Sequence, residues 1–184
     1  MAMGIGISDP LGVPTAWVRR FAHLVPRGGR ILDLAAGGGR HTRFFRDRGH
    51  VVTSVDKLLD GMADLREAAG IELVEADLEA GAWPLPGRRF AGIVVVNYLH
   101  RPLLPLLADV LAPGGVLIYE TFAVGQGEFG RPSGENYLLR PNELIAVFAP
   151  RLTIVAFEHG IDYAPNPKAV QRLAAVRGRD LVPL

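Results

Sequence analysis

Three acidic residues and a run of glycines have types and spacing suited to binding a nucleoside ligand. Asp33 precedes Gly37-Gly38-Gly39, Asp56 follows Asp33 by 23 residues, and Asp77 follows Asp56 by 21. A glycine run lets the backbone approach a ligand closely, and the helix start after it offers free N–H groups to an anion. A carboxylate after the next strand can accept hydrogen bonds from ribose hydroxyls. Because aspartate also commonly starts loops, the interpretation depends on all three carboxylates meeting the glycines at one sheet edge.

Short apolar runs alternate with helical patterns that would bring these residues together. Strands are predicted at 30–34, 50–55, 71–75, 90–96 and 116–121, and helices at 14–25, 40–48, 58–69 and 102–111. This alternation with short connections indicates an α/β fold with a doubly wound, mostly parallel sheet. Ligands of such sheets bind beyond the carboxyl ends of the strands, which is where Asp33, Asp56 and Asp77 fall.

The C-terminal third departs from the alternation. A glycine-rich connection is predicted at 122–138, a helix at 141–148, and strands at 152–157 and 168–176. The last two strands would add an antiparallel edge hairpin and complete a seven-stranded, Rossmann-like sheet. We expect a single domain over 1–184, with a cofactor-binding part at 14–121 and a substrate loop and C-terminal strands at 122–184. Because long loops inside a domain are usually functional, we expect a mobile lid at 123–137.

Composition excludes several classes of protein. The 184 residues are 49% hydrophobic and 21% charged, which excludes a disordered chain, and the net charge of +1 does not favour a dedicated nucleic-acid or membrane-surface protein. There is no cysteine, and the five histidines lack metal-ligand spacing, so no metal site is expected. The first ten residues have no signal-peptide pattern and no apolar run is long enough to span a membrane, so we expect a soluble cytoplasmic protein.

The glycine turn does not fit a dinucleotide fingerprint well. When Ala35 and Gly37 take the first two glycine positions of that fingerprint, bulky Arg40 takes the third, where a glycine is needed for close helix packing. This disfavours a dehydrogenase. An acidic residue at the end of the first strand, followed by a turn with glycines at alternate positions, is a different pattern.

That pattern resembles the first motif of the class I S-adenosylmethionine-dependent methyltransferases. The matching residues are Ile31-Leu32-Asp33-Leu34-Ala35-Ala36-Gly37-Gly38-Gly39, and Ala35 departs from the family by replacing its first glycine. The resemblance covers roughly residues 14–121. It continues through Val55-Asp56, Ala76-Asp77-Leu78, Asn97-Tyr98 and Leu111-Ala112-Pro113-Gly114-Gly115.

The resemblance implies S-adenosylmethionine as cofactor and assigns roles to individual residues. The turn at 35–39, after Asp33, would cradle the methionyl part through Ala35, Gly37 and Gly39. Asp56 would bind the ribose hydroxyls, and Lys57 would lie near the adenine. Asp77 would accept a hydrogen bond from the adenine amino group, and the backbone N–H of Leu78 would donate to a ring nitrogen.

The remaining cofactor residues lie at the end of the fourth strand and in the first helical turn after the glycines. Asn97 would lie near the methionyl ammonium, and Tyr98 would line the cofactor site or wall the acceptor pocket. Arg40 would assist the methionyl carboxylate, with a solvated helix face as the alternative.

The acceptor is less defined. The segments 119–122, 129–132 and 138–141 look similar to small bacterial methyltransferases of the tellurite-resistance and thiopurine types, which does not fix a substrate. A general base would be needed only for an acceptor that must lose a proton, and His100 and Glu120 are the candidates. Either residue could instead be structural, Glu120 by pairing with an arginine. Phe129, Arg131 and Tyr137 are candidate acceptor contacts.

Three functions therefore stay open. Methyl transfer to a small molecule is favoured, because the stretch after Asn97 lacks the prolines typical of enzymes that methylate exocyclic base amines. An RNA or protein acceptor is the second reading. A non-catalytic module that binds the cofactor or a nucleotide is the third, since no residue is unmistakably catalytic.

Overall fold

Seven strands form one sheet in residues 12–183, the part of the chain that the computed structural model describes. The expectation that the first ten residues form no signal peptide lies outside the described residues. The strands are β1 (Ile31–Leu34), β2 (Val52–Asp56), β3 (Ile71–Glu75), β4 (Phe90–Val96), β5 (Leu111–Phe122), β6 (Thr153–Asp162) and β7 (Lys168–Val176).

The strand order is β3-β2-β1-β4-β5-β7-β6. Strands β1 to β5 pair in parallel, whereas β7 pairs antiparallel with both β5 and β6. The predicted mostly parallel, Rossmann-like sheet with an antiparallel C-terminal edge is therefore confirmed. The order changes direction between β1 and β4, which places a ligand crevice at the carboxyl ends of these two strands.

In the described part of the chain, four α-helices cover the two faces of the sheet. They are α1 (Ala16–Phe21), α2 (Arg40–Arg46), α3 (Leu104–Val110) and α4 (Glu143–Phe148). Phe21 and Phe45 belong to the core under α1 and α2, and Leu107 and Phe148 belong to the core under α3 and α4. Within residues 12–183, no helix is long and apolar enough to cross a membrane.

The helix predicted at 58–69 is wrong. The structure has a 3-10 helix at Asp60–Leu65, interrupted at Met62 by non-helical torsions. The buried side chains Leu59, Met62 and Leu65 repeat every third residue, which suits three residues per turn rather than 3.6. This segment also passes close to the glycine turn, since a Cβ added to Gly61 would lie 3.1 Å from Gly38 Cα.

The boundary between α3 and β5 also differs from the prediction. The helix ends at Val110 and β5 begins at Leu111, five residues before the predicted start. Two arginines bind the carbonyls of the last helical turn and of the residue after it: Arg89 binds the Asp109 and Leu111 carbonyls, and Arg177 binds those of Ala108, Asp109 and Leu111. These donors satisfy carbonyls that a helix end leaves free, so the chain needs no glycine cap there.

Candidate functional site

The glycine turn after β1 is built from left-handed backbone. Ala35 has φ +54°, Gly37 has φ +55° and Gly39, the N-cap of α2, has φ +73°. The Ala36 N–H donates to the Val55 carbonyl at 3.1 Å, which fastens the turn to the end of β2. The left-handed conformation costs a residue with a Cβ about 1–2 kcal/mol, so Ala35 carries a strain that a glycine would not.

The outer side of this turn is open. A Cβ added to Gly37 or to Gly38 would meet no heavy atom within 4 Å, among the residues that the structure describes. The inner side is closed by the segment around Gly61 and by Arg43, which binds the Gly38 carbonyl and pairs with Asp64 at 2.6 Å. The turn therefore presents bare backbone to the crevice while its other side is fixed.

Asp56 ends β2 beside this turn. Its Oδ2 accepts a hydrogen bond from the Gly37 N–H at 2.7 Å, and its Oδ1 accepts one from the Leu58 N–H at 3.1 Å. The structure thus brings together two residues that the sequence predicted to share a ligand. Both carboxylate oxygens keep lone pairs for further donors such as ribose hydroxyls.

Asp77 follows β3 and is held by its neighbours along the same edge. Lys57 Nζ lies 2.6 Å from Asp77 Oδ2, and the Glu79 N–H donates to Asp77 Oδ1 at 3.0 Å. The Lys57 ammonium lowers the pKa of Asp77, and Asp77 raises the pKa of Lys57. Leu78 is half-buried and packs against the core on the α3 side of the sheet.

Asp33 lies inside the protein rather than at its surface. It is 2% exposed, and its Oδ2 accepts a hydrogen bond from Thr42 Oγ1 at 2.7 Å. Burial raises the pKa of Asp33 to about 6, and the hydrogen bonds from Thr42 and the positive charge of Arg40 oppose that rise. Arg40 is the first residue of α2, directly after the glycine turn, and its role toward the methionyl carboxylate stays a prediction.

The end of β4 supplies Asn97 and Tyr98. Asn97 has φ +57°, and its N–H donates to the Glu120 carbonyl at 2.9 Å. The Tyr98 hydroxyl is buried and has no hydrogen-bond partner among residues 12–183. Burial is the main cause that raises the pKa of Tyr98, and the carboxylates of Glu79 and Asp77 add to it. A buried hydroxyl that faces these acids and lacks a partner fits a site whose ligand would supply one.

The two candidate bases have different surroundings. His100 is half-buried, and its backbone carbonyl accepts from the Leu103 N–H. Glu120 is 1% exposed, with Oε2 at 3.0 Å from Arg172 Nε and Oε1 at 3.6 Å from Lys168 Nζ. The structure therefore gives Glu120 the arginine-paired arrangement that the sequence left open, and its two oxygens face cations instead of an acceptor.

The connection after β5 is anchored at both ends. Gln126 is buried, and its side chain accepts from the Ala169 N–H at 2.9 Å. Arg101 binds the Asn136 carbonyl at 3.1 Å and the Leu138 carbonyl at 2.8 Å, and it pairs in bidentate fashion with Glu143. These contacts attach the segment to β7 and to the loop after β4, and the mobile lid at 123–137 stays a prediction.

The predicted acceptor residues lie between these anchors. Phe129 is 37% exposed and Tyr137 is 51% exposed, and the Arg131 carbonyl accepts from Gln126 Nε2 at 3.5 Å. A cavity of about 440 Å³ lies in the same segment, but its lining does not include Phe129, Arg131 or Tyr137; the lining residues include Val124, Glu128, Ser133, Glu135, Leu138 and Arg140.

Sequence reasoning missed three residues of this region. Thr42 and Ser54 contact each other beside Asp33, and Arg101 fixes the connection after β5. Thr42 could have been found from the sequence, because it is a hydroxyl residue near the start of a helix that follows a strand with an acidic residue near its end. Arg101 gives no such signal, because its partners are two backbone carbonyls 35 and 37 residues away and a carboxylate 42 residues away.

Comparisons with known proteins agree with this geometry. A family model described as a methyltransferase domain matches residues 31–115, which run from β1 to the first residues of β5. A malonyl-[acyl-carrier protein] O-methyltransferase of Enterobacter lignolyticus is 33% identical over 111 residues. The match spans 57% of this chain and 41% of that relative, so the chain spans about two fifths of the relative's length.

Solved structures share the fold. TehB from Haemophilus influenzae superposes with a TM-score of 0.69 at 18% identity, covering 88% of this chain and 61% of that chain. A Burkholderia thailandensis 1,6-didemethyltoxoflavin-N1-methyltransferase, solved with 1,6-didemethyltoxoflavin and S-adenosylhomocysteine, has a TM-score of 0.69 at 22% identity and covers 93% of this chain and 80% of that chain. At these identities the likeness concerns the fold alone.

Proposed function

We propose that this chain is an S-adenosylmethionine-dependent methyltransferase that transfers a methyl group from S-adenosylmethionine to a small-molecule acceptor. The observation that carries the proposal is the glycine turn. It presents an open backbone surface at Gly37 and Gly38, directly bonded to Asp56 at the end of the next strand.

The residues of the crevice fit the cofactor in order along the sheet edge. The turn at 35–39 would hold the methionyl part, with the Asn97 backbone near its ammonium, and Asp56 would accept from the ribose hydroxyls. Asp77 would accept from the adenine amino group once Lys57 releases it. The buried Tyr98 hydroxyl supports the fit, because it lies near the acids of this edge without a partner among the described residues.

When bound, S-adenosylmethionine supplies a methyl group on a sulfonium, which is already a good leaving group. The work of the chain is then to align the acceptor and to exclude water, and orientation of this kind can supply about 7–11 kcal/mol of a barrier. The segment at 122–138, anchored by Gln126 and Arg101, would form the wall that does this on the β5 side.

A carboxylate acceptor, free or attached to a carrier protein, is supported by the named relative. The relative from Enterobacter lignolyticus acts, by its name, on an acyl chain attached to a carrier protein. A carboxylate of that kind is an anionic nucleophile and needs no general base.

For an acceptor that must lose a proton, we propose His100 and not Glu120 as the base. Glu120 is buried against Arg172 and Lys168, so it could not take a proton without breaking two ion pairs. His100 is half-buried just after the end of β4, and imidazole is the side chain that enzymes most often use for proton transfer.

Two measurements test the function. Calorimetry should show binding of S-adenosylhomocysteine and none of NAD, and Asp56→Ala should weaken the former by about 1–3 kcal/mol through the loss of a charged acceptor. Transfer of tritiated methyl from labelled S-adenosylmethionine into a small-metabolite extract should follow. Binding without transfer to metabolites, nucleic acid or protein would favour a non-catalytic module, and preferred binding of NAD would contradict the proposal.

A further inference from the structure

A chain of three buried polar groups runs from β2 through α2 to β1. Asp33 is 2% exposed, and Thr42 and Ser54 are 0% exposed. Asp33 and Ser54 are register partners on β1 and β2, so their side chains leave the sheet side by side on the same face. Thr42 lies on α2, which covers that face.

The direction of the hydrogen bonds follows from the donors available. An ionised carboxylate only accepts, so Thr42 Oγ1 must donate its single proton to Asp33 Oδ2 over 2.7 Å. Ser54 Oγ lies 2.7 Å from Thr42 Oγ1 and must then donate to it. Each hydroxyl polarises the next, which strengthens the bond to the carboxylate.

Such a buried charge is costly unless something compensates for it. The charged groups that act on Asp33 are Arg40 in the first turn of α2 and Asp56 at the end of β2, which oppose each other. On the other neighbouring strand its register partner is the apolar Val94. Among the uncharged side chains, the hydroxyls of Thr42 and Ser54 therefore contribute most to stabilising the negative charge of Asp33.

We propose that Thr42 and Ser54 are positioning residues that hold the Asp33 carboxylate in its ionised form beside the glycine turn, where it attracts the ammonium of the methyl donor. The inference rests on the proposed function and adds two residues to it. Cofactor binding should then depend on pH through Asp33, because protonation removes the charge that attracts the ligand. Binding should be strong above the pKa of about 6 and should weaken as pH falls through it.

Calorimetric titration of the protein with S-adenosylhomocysteine between about pH 5 and pH 9 tests this. Thr42→Val removes the donor to the charged form and keeps the side-chain shape. We expect it to raise the midpoint of the binding profile by about 1–2 pH units and to weaken binding at neutral pH by about 3- to 10-fold. Ser54→Ala, which leaves the Thr42 donor in place, should raise the midpoint by about half a unit.

Two further variants separate positioning from packing. Thr42→Ser keeps the hydroxyl and should restore the midpoint of the unmodified protein. Thr53→Val is the matched control, because Thr53 is also a buried β2 threonine that donates to a carboxylate, Glu72 at 2.9 Å, but its partner is not Asp33. The midpoint of this control should not move.

The outcomes are distinguishable. An unchanged midpoint in both Thr42→Val and Ser54→Ala would overturn the positioning role, as would an equal loss of affinity at all pH values in Thr42→Val and Thr42→Ser. If Thr42→Val does not fold, the Ser54→Ala profile decides. Failure of the unmodified protein to bind S-adenosylhomocysteine at any pH would instead contradict the proposed function.

Discussion

Lys57 Nζ lies 2.6 Å from Asp77 Oδ2, so the carboxylate proposed to accept from adenine is already bound by a cation from the neighbouring strand end. The lysine side chain is 68% exposed and that of Asp77 33% exposed, so solvent screens the pair and its release is easy. If Asp77 accepts from adenine as proposed, ligand binding requires an exchange of partners at Asp77.

Replacing Lys57 with Met should strengthen binding of S-adenosylhomocysteine by about 2- to 5-fold, because the adenine amino group no longer competes with the ammonium. Added salt should tighten binding to the unmodified protein and change that of Lys57→Met less. Lys57→Arg, which keeps the cation, is the control. Calorimetry measures both, and weaker binding by Lys57→Met would show that Lys57 contacts the ligand instead of competing with it.

Gly38 offers a sharper test of the glycine turn than Gly37. Gly38 does not have a positive φ, and an added Cβ would meet no described atom within 4 Å, so Gly38→Ala should leave the unfolding free energy nearly unchanged. The methyl group would enter the space proposed for the methionyl part, and binding of S-adenosylhomocysteine should fall by at least about 10-fold. Gly49→Ala, at a glycine before β2 with equally open surroundings but a positive φ, controls for stability effects at a distance from the site.

Normal binding by a folded Gly38→Ala protein would contradict the proposed cradle. Calorimetry and urea unfolding on the same preparation separate a lost ligand from a lost fold.

The sheet and its ligand edge could be predicted from the sequence because they depend on local patterns. Five parallel strands follow from apolar runs bounded by glycine and proline, and Asp33, Asp56 and Asp77 follow from their places at strand ends. The 3-10 conformation within 58–69 could not be predicted from the sequence, because the three-residue spacing of Leu59, Met62 and Leu65 differs only slightly from the α-helical repeat. The segment also makes a tertiary contact that the local sequence does not show, because Gly61 passes close to the glycine turn.

The sequence also could not predict which side chains pair when they lie far apart in the chain. Sequence spacing alone left Glu120 equally suited to catalysis and to pairing, and only the register of β5 with β7 sets Glu120 opposite Arg172. The role of Asn97 and Tyr98 beside the cofactor stays a prediction, which the buried hydroxyl of Tyr98 supports.

Asp33→Asn should stabilise the free protein at alkaline pH while weakening ligand binding. Burial raises the pKa of Asp33 from 3.8 to about 6, so the folded state disfavours the charged form and the ionised group destabilises the fold above pH 6. A rise of that size corresponds to roughly 3 kcal/mol, and we expect a gain of about 1–3 kcal/mol at pH 8 that shrinks as the pH falls below 6 and disappears only below about pH 4, where the carboxyl is protonated in the unfolded state as well. Carboxyls with a lowered pKa, such as Asp77, destabilise the fold as the pH falls through the acid range. Because both proteins share these carboxyls, the relevant quantity is the difference in unfolding free energy between Asp33→Asn and the unmodified protein.

Urea unfolding across this pH range measures this difference, and calorimetry should show weaker binding of S-adenosylhomocysteine by Asp33→Asn at pH 8. A variant that is less stable than the unmodified protein at pH 8 would mean that the Asp33 charge is compensated within the fold.

Arg101→Met should loosen the connection after β5 without affecting the cofactor site. Arg101 donates to the Asn136 and Leu138 carbonyls and pairs with Glu143, so its loss frees the end of the segment nearest α4. Amide hydrogen exchange should become faster by about 10-fold or more at residues 136–139, while 123–126, held by Gln126, should stay slow. Binding of S-adenosylhomocysteine should be unchanged, and transfer to an acceptor should fall.

Arg20→Met, which breaks the exposed pair with Glu158 at 3.3 Å, is the control and should alter neither exchange nor transfer. If exchange at 136–139 is as slow in Arg101→Met as in the unmodified protein, Arg101 does not hold this segment, and the anchor lies at the Leu139–Phe122 backbone bond instead.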